Sequence, residues 1–355
     1  MNGIKARSYS VEFQQKGFDK LGKLVEDNGY SSVFVMIDSN TKEHCLAVFK
    51  NRISESLDFE IICIPPGEEF KTIKSCQKVW QTLSKKGADR KSLIINLGGG
   101  VITDMGGFIA STFKRGVDFI NIPTTLLSMV DASVGGKTGV DFENIKNQIG
   151  VIVDPKLVII ESDFLKTLPF KEYRSGYSEM LKHGLINDKK YWDTLSNILK
   201  KNTKDILSLI YKSIEIKNKI VLDDPYEQNQ RKVLNFGHTI GHAIESYFIE
   251  SDHLDKLTHG EAIAIGIIIE SSISVEKCSL KQSEADQIKN VFNSIFSKVK
   301  IDSSDQENII SLIKFDKKNS HGNVYFVLLK SIGVPVIDLK VTHEQINKGF
   351  VFYDS

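Results

Sequence analysis

The first half of the chain alternates short apolar runs with longer amphipathic ones. Residues 33–37 (VFVMI), 59–64 (FEIICI), 92–97 (SLIINL), 119–122 (FINI) and 157–160 (LVII) are runs rich in β-branched residues. Asp38, Pro65-Pro66-Gly67, Gly98-Gly99-Gly100 and Pro123 stop the first four. Segments with helical spacing, such as residues 73–85, lie between them. Apolar strands alternating with helices predict a parallel sheet covered on both faces. A ligand is then expected at the carboxyl ends of the strands. Beyond about residue 170 the period lengthens. Residues 175–186, 191–199, 206–221, 231–248, 260–274 and 283–296 read as helices, and strand-like runs return only at 324–329 and 334–337. The pattern therefore predicts an α/β domain over residues 1–170 and a mainly α-helical domain over 171–355, with no low-complexity linker and no fixed-period repeat.

Composition narrows the function classes. The 355 residues are 41% hydrophobic and 26% charged, ordinary for a globular chain able to bury a core without staples. Lys+Arg number 46 against Asp+Glu 45, a formal charge of +1, so nothing calls for nucleic acid or an anionic membrane surface. Any bound anion needs a local cluster of cations. Cys45, Cys63, Cys76 and Cys278 form no CxxC pair, which fits reduced thiols in a cytoplasmic protein. The start of the chain has no apolar segment of signal-peptide length, and the longest apolar run, 262–269, is too short to span a bilayer.

Four segments carry candidate chemistry. Residues 98–104 (GGGVITD) follow a strand and precede a helix expected over 105–113. This is either a tight turn or a place where backbone N–H groups meet a pyrophosphate. Residues 134–139 (VGGKTG) suggest a phosphate-binding P-loop, but Asp131 stands where that motif needs its first glycine. What remains is a Gly-rich loop with Asp131 and Lys137, followed by Lys146 and Asn147. In residues 235–245 (NFGHTIGHAIE), His238 and His242 are four apart and Glu245 three further, one face of a helix, with HxxxH a metal-ligand spacing. His259 opens another helix. Hydrogen-bonded core histidines are the competing explanation. Glu179, Lys182 and His183 share a helix face, a pattern equally typical of a surface ion pair.

Taken together, these segments closely resemble the 3-dehydroquinate synthase family of sugar-phosphate cyclases. The matching blocks are residues 66–71 (PGEEFK), 98–104, 114–116 (KRG), 123–127 (PTTLL), 131–139, 146–147, 165–169 (LKTLP), 178–182 (SEMLK), 231–245, 259–261 (HGE) and 316–318 (DKK), in the family's order. The resemblance implies a Rossmann-like NAD domain, then a helical domain carrying Zn2+, with Co2+ as a substitute. It implies Glu179, His238 and His259 as metal ligands, and so moves His242 from ligand to neighbour. It implies Lys137, Lys182, Lys217, Lys317, Arg115 and Arg231 as the cations for substrate carboxylate and phosphate. Asp131, Asn147, Asn235 and His242 match positions that orient hydroxyls or relay protons. Asp38, Glu68, Lys71, Gly99, Gly100, Val101, Asp104, Thr124, Thr125, Lys137, Lys146, Phe164 and Thr167 match the NAD site. The implied reaction turns 3-deoxy-D-arabino-heptulosonate 7-phosphate into 3-dehydroquinate and phosphate in the shikimate pathway, in a cytoplasmic homodimer. Thr103, Asp141, Tyr177 and His183 depart from the family's usual residues. Sister cyclases acting on neutral sugar phosphates, and metal-dependent polyol dehydrogenases, are the rival readings.

Overall fold

A computed structural model describes residues 1–143, 145–198, 205–251, 253–313 and 324–355. It divides into two compact units, Met1–Pro169 and Phe170–Ser355.

The first unit is built on β1 (Ile4–Lys5), β2 (Ser10–Phe13), α1 (Gln15–Asn28), β3 (Ser32–Asp38), α2 (Ser39–His44), α3 (Leu46–Arg52) and β4 (Glu60–Ile64). It continues with α4 (Ile73–Lys85), β5 (Ser92–Gly98), α5 (Gly100–Thr112), β6 (Asp118–Pro123), a hairpin of β7 (Lys137–Phe142) and β8 (Ile145–Ile152), and β9 (Leu157–Ile160). The main sheet runs β1-β2-β9-β6-β5-β3-β4 and is parallel apart from the β1–β2 pair. Every residue of β5 and β9 is buried, which is why their sequences read as continuous apolar runs. Phe34, Met36, Ile94 and Phe119 of the strands share a core with Ile102 and Met105 of α5 and with Val79 and Leu83 of α4.

The strand order contains a reversal. The chain passes from β3 outward to β4, then crosses back to place β5 on the other side of β3. Such a switch point opens a crevice at the carboxyl ends of the two flanking strands. Here those ends are Asp38 and Gly98.

The second unit comprises α6 (Phe170–Asn187), α7 (Lys189–Ile198), α8 (Ile206–Asp223), α9 (His238–Glu250), α10 (His259–Cys278), α11 (Gln282–Ile295), α12 (Ser303–Ile313), an antiparallel hairpin of β10 (Tyr325–Ser331) and β11 (Val334–Lys340), and α13 (His343–Asp354). Helix α10 is buried around most of its girth, from Ala262 to Ser274, and packs against α6, α9, α11, α13 and β10. It is the central post of the unit. Among the described residues no helix is long and apolar enough to cross a membrane.

Several local expectations need correction. Residues 231–248 are not one helix. A 3-10 turn, Gln230–Asn235, ends before α9, because Gly237 takes a left-handed φ of 79°. Helix α5 begins at Gly100, not near residue 105, since the third glycine is already helical. The Gly-rich segment around Lys137 leads straight into a strand. Helices α12 and α13 were not expected, although Ile346, Phe350 and Tyr353 mark a buried face of the latter.

Candidate functional site

In the second unit three elements converge. Glu179 lies mid-way along α6 and is fully buried. Lys182, one turn on, is 1% exposed and its Nζ rests against Glu179 Oε2. This is not the solvated surface pair that the spacing also allowed. Thr258 caps α10 through a reciprocal capping box with Glu261, which makes His259 the first residue of that helix. His238 is likewise the first residue of α9.

The N-terminus of α9 has no cap from its own chain neighbours. The cap comes from Glu270, a fully buried carboxylate of α10 that accepts hydrogen bonds from Gly237 N (2.6 Å) and Ile240 N (3.3 Å). A carboxylate at a helix N-terminus is favoured by the N–H groups and the helix dipole together. Helices α9 and α10 meet backbone to backbone, since a Cβ on Gly266 would stand 2.1 Å from Gly237 O. The one acid of an otherwise apolar stretch was the signal that could have revealed Glu270.

Glu179 Oε1 lies 3.6 Å from His238 Nε2 and 3.9 Å from His259 Nε2. Ligand bonds of about 2.0–2.2 Å in a tetrahedral shell set donor atoms about 3.3–3.5 Å apart. Glu179 Oε1 needs to close on the two histidine nitrogens by about half an ångström or less to share such an ion with them. Glu179 Oε1 is buried and accepts no hydrogen bond among the described residues, as expected of an atom meant for a cation.

The outer bonds agree. His238 Nδ1 lies 3.2 Å from Phe236 O, and His259 Nδ1 lies 3.2 Å from Glu245 Oε2. Both partners are acceptors, so each Nδ1 carries the proton and each Nε2 keeps its lone pair for a metal. His242 stands beside them, its ring centroid 5.1 Å from that of His238 and 5.8 Å from that of His259. Its nearest donor atom is within 4.8 Å of theirs, so the HxxxH pair and the Glu179 set share one cluster. An O,N,N donor set suits Zn2+ or a related divalent ion.

The remaining expected residues of this unit are mostly buried polar groups. Lys217 on α8 is 6% exposed and Arg231 is 2% exposed. Arg231 donates through Nη1 to Pro225 O (2.6 Å), and Asn235 Nδ2 donates to Glu227 Oε1 (2.7 Å). Asp224 accepts from Gln228 N, Asn229 N and Arg231 N, and so ties down the approach to this turn. Lys317 lies outside the described residues.

In the first unit the expected NAD residues line the carboxyl edge of the sheet. Asp38 ends β3 and caps α2 by accepting from Thr41 N (2.7 Å). Gly98 and Gly99 link β5 to α5, and Thr124 N–H donates to Gly98 O across the neighbouring strand ends (3.0 Å). A Cβ on Gly99 would stand 3.0 Å from Thr125 Cγ2. Gly99, as N-cap, supplies no side chain to the first N–H groups of α5, which include those of Gly100 and Val101. Those groups and the dipole favour a phosphate. Phe164 and Thr167 follow β9, in and just after the turn Ser162–Lys166.

Lys71, 3% exposed, sits after β4 with Nζ 2.7 Å from both Asp104 Oδ2 and Asn147 Oδ1. Burial alone would lower its pKa, but Asp104 and Glu68 outweigh that and hold the ammonium above the ordinary lysine range. Lys146 Nζ lies 3.7 Å from Glu68 Oε1. Lys137 is exposed at the start of β7, and Asp131 is half-buried in the turn Ser128–Ala132. Arg115 stands apart from these residues. It precedes β6, at the amino edge of the sheet, where Lys114 and Arg115 hold φ of 49° and 71° beside a cleft of about 590 Å³ lined also by Asp89, Arg90 and Lys91.

The departures from the family pattern are each accommodated. Thr103 Oγ1 bonds Gly99 O and Gly100 O, Tyr177 OH donates to Leu195 O, His183 Nδ1 pairs with Ser213 Oγ (2.6 Å), and Asp141 accepts from Asn147 N.

Comparison with known proteins agrees with this geometry. Residues 61–175 match the family described as 3-dehydroquinate synthase N-terminal, and residues 176–319 match 3-dehydroquinate synthase C-terminal. The chain is 41% identical over 327 residues to the 3-dehydroquinate synthase of Parabacteroides distasonis, covering 91% of this chain and 92% of that protein. Among solved structures, 2-epi-5-epi-valiolone synthase from Streptomyces hygroscopicus, with NAD+ and Zn2+ bound, superposes with a TM-score of 0.85 at 24% identity, covering 100% of this chain and 99% of that one. A 2-deoxy-scyllo-inosose synthase complexed with carbaglucose-6-phosphate, NAD+ and Co2+ gives 0.84 at 22% identity, covering 100% of both chains. The match runs through both units and includes the blocks that carry Glu179, His238 and His259, and on this evidence the chain belongs to the 3-dehydroquinate synthase family.

Proposed function

We propose that this chain is itself a 3-dehydroquinate synthase. It converts 3-deoxy-D-arabino-heptulosonate 7-phosphate to 3-dehydroquinate and phosphate by transient oxidation, phosphate elimination, reduction and intramolecular aldol closure. The observation that carries the reading is the Glu179, His238 and His259 cluster with its outer acceptors, in a chain 41% identical to a named synthase.

When bound, NAD supplies a reversible hydride acceptor, and Zn2+ (or Co2+) supplies a Lewis acid for substrate hydroxyls. Residues 1–170 serve as the NAD domain, and residues 171–355 hold the metal and most of the substrate. Asp38 and the Gly99–Gly100 turn lie where ribose and pyrophosphate are expected at the switch point. Lys182, Lys217, Arg231 and Lys317 hold the substrate's two anionic ends, with Lys137 from the Gly-rich loop. Their charge is local, since the whole chain carries only +1. His242 moves protons beside the metal histidines, and Asp131, Asn147 and Asn235 orient hydroxyls. The enzyme works as a cytoplasmic homodimer.

The test is phosphate release from the heptulosonate phosphate, with and without chelator, set against sedoheptulose 7-phosphate, which lacks the carboxylate. Turnover of the first alone, abolished by chelator and restored by Zn2+, is expected. Removing the carboxylate strands buried cations, which costs far more than an ordinary contact. Efficient cyclisation of sedoheptulose 7-phosphate with no turnover of the acid would replace this reading with a valiolone-type cyclase.

A further inference from the structure

Asn147 is held more tightly than a residue on an exposed hairpin needs to be. Its φ is 51°, in the left-handed region that, glycine aside, asparagine adopts more readily than most residues. Its backbone N–H donates to Asp141 Oδ1 at 2.6 Å. Its side-chain Oδ1 accepts from Lys71 Nζ at 2.7 Å. Asp141 is in turn fixed to the same lysine's backbone, because Asp141 N donates to Lys71 O at 2.9 Å, and Thr72 and Asp141 form an isolated β-bridge. Lys71 is anchored on its other side by Asp104.

This arrangement decides which way the amide faces. A lysine ammonium only donates, so the Asn147 atom beside it must be the oxygen. The two N–H donors of Nδ2 then point away from Lys71, with no partner among the described residues. On the side away from Lys71, Asn147 is thereby set to give hydrogen bonds through Nδ2 to an oxygen.

We propose that Asp141 is a positioning residue for the reaction: by accepting the Asn147 backbone N–H it holds Asn147 in its left-handed conformation, so that the Nδ2 donors are presented to a substrate oxygen. The inference rests on the proposed function for the identity of that substrate. The geometry of the clasp does not depend on it. Asp141 touches no reacting atom. It acts through Asn147, and Lys71 acts with it by orienting the amide.

The experiment compares Asp141→Ala, Asp141→Asn, Asn147→Gly and the double variant Asp141→Ala/Asn147→Gly, each checked for folding by thermal unfolding. Asp141→Ala is expected to lower kcat/KM for the heptulosonate phosphate about tenfold, chiefly through KM, the scale of one lost charge-assisted hydrogen bond with the orientation it fixes. NAD affinity should stay within about twofold, since Lys71 keeps Asp104. Asp141→Asn should recover most of the loss, because an amide oxygen accepts the same N–H. Asn147→Gly tolerates the positive φ but lacks the amide, and Asp141→Ala should add nothing to it if Asp141 acts only through Asn147. Additive effects in the double variant, an unchanged KM in Asp141→Ala, or NAD affinity falling in step would each overturn the proposal. Hydrogen exchange at the Asn147 amide gives a readout free of substrate: slow in the parent and in Asp141→Asn, fast in Asp141→Ala. Equal exchange in all three refutes the clasp even if the parent enzyme turns over a different sugar phosphate, whereas failure of the parent on the heptulosonate phosphate, with the exchange pattern intact, counts against the substrate alone.

Discussion

At the residue scale the candidate metal cluster turns on direction. Histidines 238, 242 and 259 are all close enough to share an ion. What singles out His238 and His259 is that Glu179 Oε1 faces both Nε2 atoms while both Nδ1 atoms face acceptors. His259→Ala should therefore lose most bound zinc and nearly all activity, whereas His242→Ala keeps its zinc and loses turnover. Glu245→Ala should bind zinc about 10–100-fold more weakly, the usual cost of removing an outer carboxylate from a metal histidine. Metal content after dialysis against a graded chelator measures all three. Retained metal in His259→Ala, with loss in His242→Ala, would reverse the assignment. Spacing alone pointed to the HxxxH pair with Glu245 and could not choose between His242 and His259, because the choice depends on where Glu179, 59 positions before His238, arrives in space.

At the element scale the cluster depends on how three helices start and stop. Helix α9 begins at His238 because Gly237 breaks the preceding turn and Glu270 caps it from α10. The segment before it is fixed by Asp224, whose carboxylate takes three backbone N–H groups, including that of Arg231. Burial pushes this carboxyl up, but the three N–H bonds outweigh burial and hold it below the usual aspartate range. Asp224→Ala should cost about 1–3 kcal/mol near neutral pH, the scale of losing three backbone hydrogen bonds of which the one from Arg231 is buried. The sign follows from the depressed pKa: the native state binds the proton less readily than the unfolded chain. The stabilisation is present above the unfolded value of about 3.9 and fades as pH falls through the native one. Denaturant melts of parent and variant should converge below about pH 4. A constant gap down to acid pH would mean that the carboxylate's charge is not what holds the loop. The sequence shows Glu270 as an acid in an apolar stretch but not what it caps, since Asp224 and Glu270 act on partners chosen by folding.

At the scale of the whole molecule the expectation concerns the cofactor. If NAD is reduced and reoxidised within each turnover, phosphate is released with no net rise in NADH absorbance. Steady accumulation of NADH, measured beside phosphate release, would move the protein to the metal-dependent dehydrogenases. The near-zero net charge also implies that ionic strength should affect substrate affinity only modestly, because the cations are local and largely buried.

The sequence by itself determined the parallel sheet, the order of its main strands along the chain, the change to helices near residue 170 and a histidine pair at a spacing that a metal could use. Each is written in a local period or a local spacing: buried strands such as β5 and β9 need unbroken apolar runs, and the pair His238 and His242 shares one helix face because it stands at i and i+4. The tertiary structure decided the rest. It placed β5 across β3 and so set Asp38 and Gly98 at one crevice, turned the Glu179–Lys182 pair inward, delivered Glu270 to the start of α9, and brought Asp141 and Lys71 to either side of Asn147. Those facts are distances between segments far apart in the chain, and only packing sets them.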